Sequence, residues 1–342
     1  PDIADDIRDQ MVAWRRDIHA NPETAFEEHR TANVVAQALT LMGMPVHRGL
    51  ARTGVVGTLK NGDGPSIALR ADLDALNMQE LGNNKPHIST CQGKMHGCGH
   101  DGHTAMLLGA AAHLARHKPF KGTVYFFFQP AEENEGGGGV MVDEGLFDLF
   151  PADAVYGMHN FPGMPRGRFG IRTCTMTAYL DTFEIVVTGK GCHGAAPETG
   201  IDPVVVATQL VAALQTIASR RISATDSVVV SVTQIHGGDT WNVIPEEVVL
   251  RGTVRTLDAG IQDRAQAAMQ QICDGVAQTN GAKVALKYMR GYPGVVNTPA
   301  ETAAAVAAAA SLVGAAQVNT AIAPAMGSED FAFMLQKRPG AY

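Results

Sequence analysis

The sequence lacks the features that mark membrane, nucleic-acid-binding and disulfide-stabilised proteins. No apolar run approaches the roughly 20 residues that a membrane-spanning helix needs. The net charge of the 342 residues is −7, and basic residues form no blocks, so nucleic acid is not expected as a partner. The five cysteines are odd in number and widely spaced, which is not the pattern of a disulfide framework. Residues 1–6 are acidic and show no signal-peptide hydrophobic region, so we expect a cytoplasmic protein.

The apolar residues that are present suit an α/β protein with sizeable cores. Hydrophobic residues make up 45% of the chain and charged residues 18%, and the length fits two domains of about 100–200 residues each. Amphipathic helices are predicted over residues 3–20 and 27–42. The unbroken apolar run over residues 122–128 is typical of a strand buried on both faces. We therefore predict a helix-flanked, mostly parallel sheet.

A nine-residue stretch, residues 95–103, is the strongest candidate for a metal site. It contains three histidines, Cys98 and Asp101, separated mostly by glycine. Thiolate, imidazole and carboxylate bind divalent metals such as zinc. An apolar run follows at once and predicts a helix, for which Asp101 or Thr104 could be the cap. If Cys98 and His100 lie on an extended loop, their side chains point the same way.

Further acidic and metal-binding residues follow three predicted strands. Asp72 and Asp74 end one run, Glu132 and Glu133 another, and His159 a third. In open α/β sheets ligands bind outside the carboxyl ends of the strands. We therefore expect these side chains to converge beside the loop of residues 95–103.

Residues 181–293 have a different pattern and predict a second domain. Strands over 183–188, 227–235, 247–256 and 282–288 and helices over 203–219 and 261–280 give the β-α-β-β-α-β order of a ferredoxin-like fold. We expect this domain to be inserted between two parts of the first, residues 1–180 and 294–342. A helix is predicted to start at 326–331 with Ser328 as its cap. The last part is expected to be truncated, because residues 339–341 resemble the start of another strand.

The candidate residues allow metal-assisted hydrolysis. Cys98, His100, Glu133 and His159 offer sulfur, nitrogen and oxygen donors, and two metals are possible if Asp72 or a further histidine joins. Two-metal hydrolases activate a bridging water as nucleophile. Glu132 could then be the general base. A Cys98 thiol nucleophile is an alternative, but it leaves the surrounding acids unexplained.

Three polar residues of the inserted domain give weaker signals. His193 lies between small residues in a tight loop and could donate a hydrogen bond to an oxyanion. Asn242 and Arg255 are polar groups among apolar ones and could bind a carboxylate. Without further evidence, a turn asparagine and a surface ion pair would be the better explanations for the last two.

Several of these motifs together resemble the M20 metallopeptidase family. The similarity is to its amidohydrolase subgroup, which contains hippurate hydrolases, N-acyl-amino-acid deacylases and auxin-conjugate hydrolases. It extends over nearly the whole chain. The segments that carry it are residues 16–23, 70–76, 96–103, 129–133, 157–159 and 327–331.

The resemblance implies a catalytic domain, an inserted dimerisation or lid domain, and a homodimer formed through residues 181–293. It also implies one or two divalent ions per subunit, zinc, manganese, cobalt or nickel. The roles it implies are metal ligation by Cys98, His100, Glu133 and His159; acid/base catalysis by Glu132; a contact to the scissile carbonyl by His193; and substrate-carboxylate binding by Asn242 and Arg255. Asp72 and Asp74 lie in a motif near the metals but are not required as ligands, so we expect them, with Asp101, to support the ligands.

The chain departs from this pattern at two positions that bear on function. Related chains continue past the segment 339–342 and supply one more metal-binding histidine, whereas no histidine follows His236 here. Cys192 stands where glycine is usual. The predicted function is metal-dependent hydrolysis of N-acyl amino acids, hippurate-like or N-acetyl, to a carboxylic acid and a free amino acid. A dipeptidase or carboxypeptidase of the same fold, or a catalytically silent metal-binding dimer, are the alternatives.

Overall fold

The computed structural model describes residues 7–82, 85–133 and 135–342, and the chain divides into two compact units. The first unit ends its N-terminal part at Met176 and resumes over Val295–Ala323 and Asp330–Tyr342. The second unit comprises Thr177–Gly294 and Pro324–Glu329. Residues 3–6 of the first predicted helix lie outside the described residues, and the helix is seen from Arg8 onward.

The first unit is built on a six-stranded sheet. In spatial order its strands are Val46–Arg48, Val55–Asn61, Gly122–Gln129, Ser66–Asp72, Ala154–Gly157 and Gly340–Ala341. The last four run parallel to one another, and the first two are added antiparallel. The helices are Arg8–Ala20, His29–Leu41, His100–His117, Gly137–Asp143, Leu146–Leu149, Pro299–Val313 and Ala332–Leu335, with a 3₁₀ turn at Ala315–Gln317. The predicted fold class is confirmed.

Three consecutive phenylalanines show that this sheet is covered on both faces. Phe126, Phe127 and Phe128 are fully buried on the strand Gly122–Gln129. Because side chains alternate along a strand, Phe126 and Phe128 enter one hydrophobic core and Phe127 enters the other. The uninterrupted apolar run therefore reflects a strand between two helical layers.

The second unit contains an antiparallel sheet with two long helices. Its strands lie in the order Val228–His236, Glu247–Thr256, Tyr179–Thr188 and Lys283–Arg290. The helices Pro203–Thr216 and Ala259–Asn280 pack on it, and their N-caps, Asp202 and Asp258, accept hydrogen bonds from backbone amides. This is the ferredoxin-like order. The remaining short elements of the chain are Phe169–Gly170, Cys174–Thr177, Cys192–His193, Pro197–Thr199, a π-helical turn Ile217–Arg221, Val243–Ile244, Val295–Asn297 and Val318–Asn319.

One predicted helix differs from the structure. The helix expected at 326–331 begins only at Ala332, and Ser328 is not its cap. Tertiary contacts override the local signal, because Asp330 binds buried side chains instead of capping a helix. In the part of the chain that the structure describes, no helix is both long and apolar enough to cross a membrane.

Candidate metal centre

Side chains from three separate segments meet at one edge of the first unit's sheet. Single ligand atoms of Cys98, His100 and His159 lie within 4.8 Å of one another, and the same holds for His100, Glu132 and Glu133. The Cys98 Sγ is 3.2 Å from the His159 Nε2. The structure therefore brings together the residues that the sequence suggested as metal ligands, with Glu132 beside them.

The parallel strands explain this convergence. Ser66–Asp72, Gly122–Gln129 and Ala154–Gly157 are adjacent and parallel, so their carboxyl ends meet at one edge. The helix His100–His117 begins at the same edge. The sheet architecture thus brings residues that are far apart in sequence into one crevice.

Asp74 holds two of the candidate ligands in position. The His100 Nδ1 lies 2.8 Å from the Asp74 backbone oxygen and 3.2 Å from the Asp74 Oδ1. The other carboxylate oxygen, Oδ2, accepts the Glu133 backbone N–H at 2.9 Å. With Nδ1 donating, His100 presents the lone pair of its Nε2 to the crevice. This arrangement is typical of metal-ligating histidines, whose second nitrogen is oriented by a carboxylate or carbonyl.

The Nε2 atom of His100 provides the test of whether a metal fits. It is buried and has no hydrogen-bond partner among the described residues; the Asp72 Oδ2 and Glu133 Oε1 are 3.7 and 4.0 Å away. An orphaned buried nitrogen costs about 1–3 kcal/mol, and a divalent ion between it and the neighbouring thiol and carboxylate would remove that cost. Sulfur, nitrogen and oxygen donors suit zinc and related ions. The residues therefore fit the metal.

The electrostatics of the cluster also suit a divalent cation. Burial raises the pKa of the Cys98 thiol and that of the Glu133 carboxyl. Burial alone would lower the pKa of His100, but Asp72 and Asp74 outweigh it and raise that pKa well above its usual value. A bound divalent ion reverses these tendencies, because it favours thiolate, carboxylate and neutral imidazole.

A second layer of buried charges lies behind the cluster. Asp72 accepts from the Arg70 Nη1 at 2.8 Å and contacts the His103 Nδ1 at 2.7 Å. Arg70 also donates to Asp330 at 2.9 Å, and Gln129 donates to Asp330 at 2.8 Å. His103 in turn packs edge-on against His159, with ring centroids 4.4 Å apart. Sequence reasoning missed Arg70, Gln129 and Asp330; their presence in the motif segments was the only available signal.

Backbone strain accompanies Glu132. The preceding Ala131 has a φ of 56°, a left-handed conformation that is uncommon for a residue with a Cβ. Its N–H donates to the buried Glu28 carboxyl at 2.9 Å, and the Thr53 hydroxyl donates to the other oxygen at 2.6 Å. Burial raises the pKa of Glu28 to about 7. Glu28, which the sequence did not single out, therefore holds the turn that places Glu132.

The structure corrects the predicted conformation of the loop before the helix. Cys98 and His100 are not on an extended segment, because Gly99 between them has a φ of 95° and His100 is the first helical residue. A Cβ at position 99 would meet the Asn160 side chain at 2.3 Å, so only glycine fits there. Neither Asp101 nor Thr104 caps the helix. Asp101 contacts His19 at 2.9 Å, and the Thr104 hydroxyl donates to the Asp72 backbone oxygen.

The remaining predicted site residues belong to the second unit. His193 is exposed and pairs with Val243, while the Gly194 N–H donates to the Asn242 backbone oxygen at 2.8 Å. His193 and Asn242 are thus close together. Arg255 lies on the strand Glu247–Thr256 and donates to the Ser328 hydroxyl at 3.0 Å.

Known proteins resemble this chain over nearly its whole length. The model of "Peptidase family M20/M25/M40" matches residues 68–342. The hippurate hydrolase of Campylobacter jejuni is 38% identical over 100% of this chain and 89% of its own length. Thermostable carboxypeptidase 2 of Saccharolobus solfataricus is 38% identical over 98% of this chain and 86% of its own.

A solved structure agrees with the sequence relatives. The Bacillus subtilis YXEP protein, described as a dinuclear metal-binding peptidase of the M20 family, superposes with a TM-score of 0.85 at 35% identity, over 98% of this chain and 88% of that one. Fold and site thus define a metal-dependent hydrolase of amide bonds. The chain belongs to peptidase family M20/M25/M40. The resemblance noted in the sequence is confirmed.

Proposed function

We propose that the protein hydrolyses the amide bond of N-acyl amino acids, hippurate-like or N-acetyl, to a carboxylic acid and a free amino acid. The observation that carries this is the cluster of Cys98, His100, Glu133 and His159 with Glu132 beside it. The relationship to a hippurate hydrolase at 38% identity supports the choice of substrate class.

Cys98, His100, Glu133 and His159 are the proposed metal ligands. When bound, one or two divalent ions would supply Lewis acidity, polarising the scissile carbonyl and lowering the pKa of a water molecule. Zinc, manganese, cobalt and nickel are the candidate ions. Asp74 orients His100 and Glu133 through the contacts described above. Asp72 and Asp101 support the ligands from behind. Asp72 binds Arg70 and His103, and the Asp101 Oδ2 binds His19.

Glu132 is the proposed general base and acid. Its side chain is 7% exposed and lies in the cluster with Glu133. It accepts the proton from the attacking water and returns it to the leaving amine. The two adjacent glutamates thereby have different roles: Glu133 binds the ion, and Glu132 transfers the proton.

The second unit would supply substrate contacts and the dimer interface. His193 donates a hydrogen bond to the oxyanion, and Arg255 with Asn242 binds the substrate carboxylate. Residues 181–293 form the dimerisation or lid domain of a homodimer; its strand Val228–His236 lies at the edge of the sheet, which leaves a free edge for pairing. The cytoplasmic location stays a prediction from the sequence.

Replacement of Glu132 tests the mechanism. Glu132→Ala should lower kcat for an N-acyl amino acid about 10²–10⁴-fold, the usual contribution of a general base, while the metal content measured by elemental analysis stays unchanged. Glu27→Ala is the control, because Glu27 is 67% exposed. A Glu132→Ala protein with full activity would contradict the mechanism, and a wild-type protein that binds metal without cleaving any amide would favour a silent metal-binding dimer.

A carboxypeptidase or dipeptidase activity is the second candidate. It is favoured by the 38% identity to thermostable carboxypeptidase 2. Both reactions use the same cluster, so they differ only in the group attached to the amino acid nitrogen. Comparing kcat/KM for N-benzoylglycine and N-acetyl amino acids with that for dipeptides and N-blocked peptides separates them.

A further inference from the structure

A buried histidine that the proposed chemistry does not use joins three segments of the first unit. His19 is 5% exposed, at the end of the helix Arg8–Ala20. Its Nδ1 lies 2.9 Å from the Asp101 Oδ2 and its Nε2 lies 3.2 Å from the Glu80 Oε1. Since both partners are carboxylates, both ring nitrogens donate. The hydrogen bond to Asp101 is the main cause that raises the pKa of His19.

The contact with Asp101 reaches the start of the ligand-bearing helix. Asp101 is 1% exposed and follows His100 directly, and its Oδ2 also accepts from the Arg15 Nε at 3.2 Å. The helix has no side-chain cap, and its N-cap, Gly99, is left-handed. The first turn is therefore held by side-chain contacts instead of a cap. His100 and Thr104 contact Asp74 and Asp72 on one side, and Asp101 contacts His19 on the other.

The contact with Glu80 reaches the segment that leads into Cys98. Glu80 is 5% exposed; its Oε2 accepts the Ser89 N–H at 2.7 Å and its Oε1 accepts from the Lys85 Nζ at 3.1 Å. The backbones of Leu76 and Met95 pair at the two ends of this segment. Cys98 follows three residues after Met95. The contacts of Glu80 therefore help to hold the segment that leads into the Cys98 thiol.

We propose that His19 is a positioning residue, which fixes the relative placement of Cys98 and His100 by bridging Glu80 and Asp101. Neighbouring His96, 5% exposed with both ring nitrogens unpartnered among the described residues, adds no competing hydrogen bond. Groups that hydrogen-bond directly to metal ligands change metal affinity by about 10–100-fold when replaced. His19 acts through Asp101, the chain neighbour of His100, so we expect an effect at the lower end of this range. The proposal rests on the ligand assignment given under the proposed function.

Cobalt(II) binding tests the proposal. In His19→Ala we expect the dissociation constant for cobalt(II), measured by competition with a chelator, to rise about 10-fold, and the near-ultraviolet thiolate-to-cobalt absorption band to shift or weaken. kcat should fall with KM little changed. Measurements are made at a temperature where circular dichroism shows each variant folded. His29→Ala, which removes a histidine side chain that is 68% exposed, is the matched control and should resemble the wild type.

Two further variants make the result decisive. If His19→Ala does not fold, His19→Gln, which retains volume and one amide donor, is judged by the same criterion. A folded His19 variant with wild-type cobalt affinity and an unchanged band overturns the positioning role, even if its melting temperature falls. Cys98→Ser should abolish the band; a band that persists in Cys98→Ser overturns the ligand assignment itself, and with it both proposals.

Discussion

The two units differ in how many ionisable side chains they bury. Around the strand ends of the first unit, the interior contains many ionisable side chains, among them Glu28, Arg70, Asp72, Asp74, Asp101 and Asp330. The sheet core of the second unit is formed by apolar residues, and Asp181 is its conspicuous buried carboxylate. Burying a charge is costly unless it is paired and hydrogen-bonded. Much of the interior of the first unit therefore consists of paired charges around the candidate metal centre, whereas the second unit is stabilised mainly by apolar packing.

The largest expected effect comes from breaking the pair of Arg70 and Asp330. Asp330→Ala removes the acceptor of Arg70, Gln129 and the Gly138 N–H, all buried. Removing one partner of a buried charge pair costs about 3–5 kcal/mol, so the free energy of unfolding from urea titration should fall by about that amount. Asp263→Ala in the second unit, which breaks an exposed pair with Arg290, should cost less than about 1 kcal/mol. Equal losses would remove the contrast between the units.

The next effect is a pH dependence that Glu28 introduces. Its pKa is about 7 in the folded protein against 4.5 for an unperturbed glutamate, so between these values the folded state binds a proton that the unfolded state has released. The free energy of unfolding should therefore fall as the pH rises from about 4.5 to about 7, by roughly 3 kcal/mol, and then level off.

Glu28→Gln isolates this contribution. The amide cannot ionise, so the difference in unfolding free energy between Glu28→Gln and the wild type should grow across the same pH window. Urea titrations at pH 4.5, 6 and 8 measure it. A difference that does not vary with pH would show that Glu28 is ionised in the folded protein throughout.

The smallest effect concerns Asp181, a buried carboxylate beside the sheet core of the second unit. Asp181 accepts from the Tyr288 hydroxyl at 2.6 Å and from the Gln262 Nε2 at 2.8 Å. Tyr288→Phe deletes one donor and leaves Asp181 partly unsatisfied, so we expect a loss of about 1–3 kcal/mol in unfolding stability with cobalt(II) affinity unchanged. A change in metal affinity on this substitution would contradict the view that this carboxylate serves packing alone.

Local patterns predicted much of the fold. The apolar run containing Phe126–Phe128 indicated a doubly covered strand, and the alternation of strands and helices in residues 181–293 indicated the ferredoxin-like order. The positions of Glu133 and His159 after strands indicated their convergence, because parallel strands share an edge. These features depend on nearest neighbours or on one general rule of sheet architecture.

Long-range partners could not be read from the sequence. Glu28 lies 103 residues from Ala131, and His19 lies 61 residues from Glu80; no periodicity connects such pairs. The requirement for glycine at position 99 was missed for a related reason, since it depends on the distant Asn160 side chain, which leaves no room for a Cβ. Asp101 and Ser328 were assigned as caps because local statistics favour that role, but distant partners occupy both side chains.

The hydrogen bond between Arg70 and Asp330 also sets an order of events during synthesis. The two residues are separated by 260 positions, and the whole second unit, Thr177–Gly294 and Pro324–Glu329, is encoded between them. At a ribosomal rate of about 5–20 residues per second, Asp330 is synthesised about 10–50 s after Arg70. The antiparallel unit can form its core in that interval, whereas the strand-end network of the first unit is completed only after Asp330 has been synthesised.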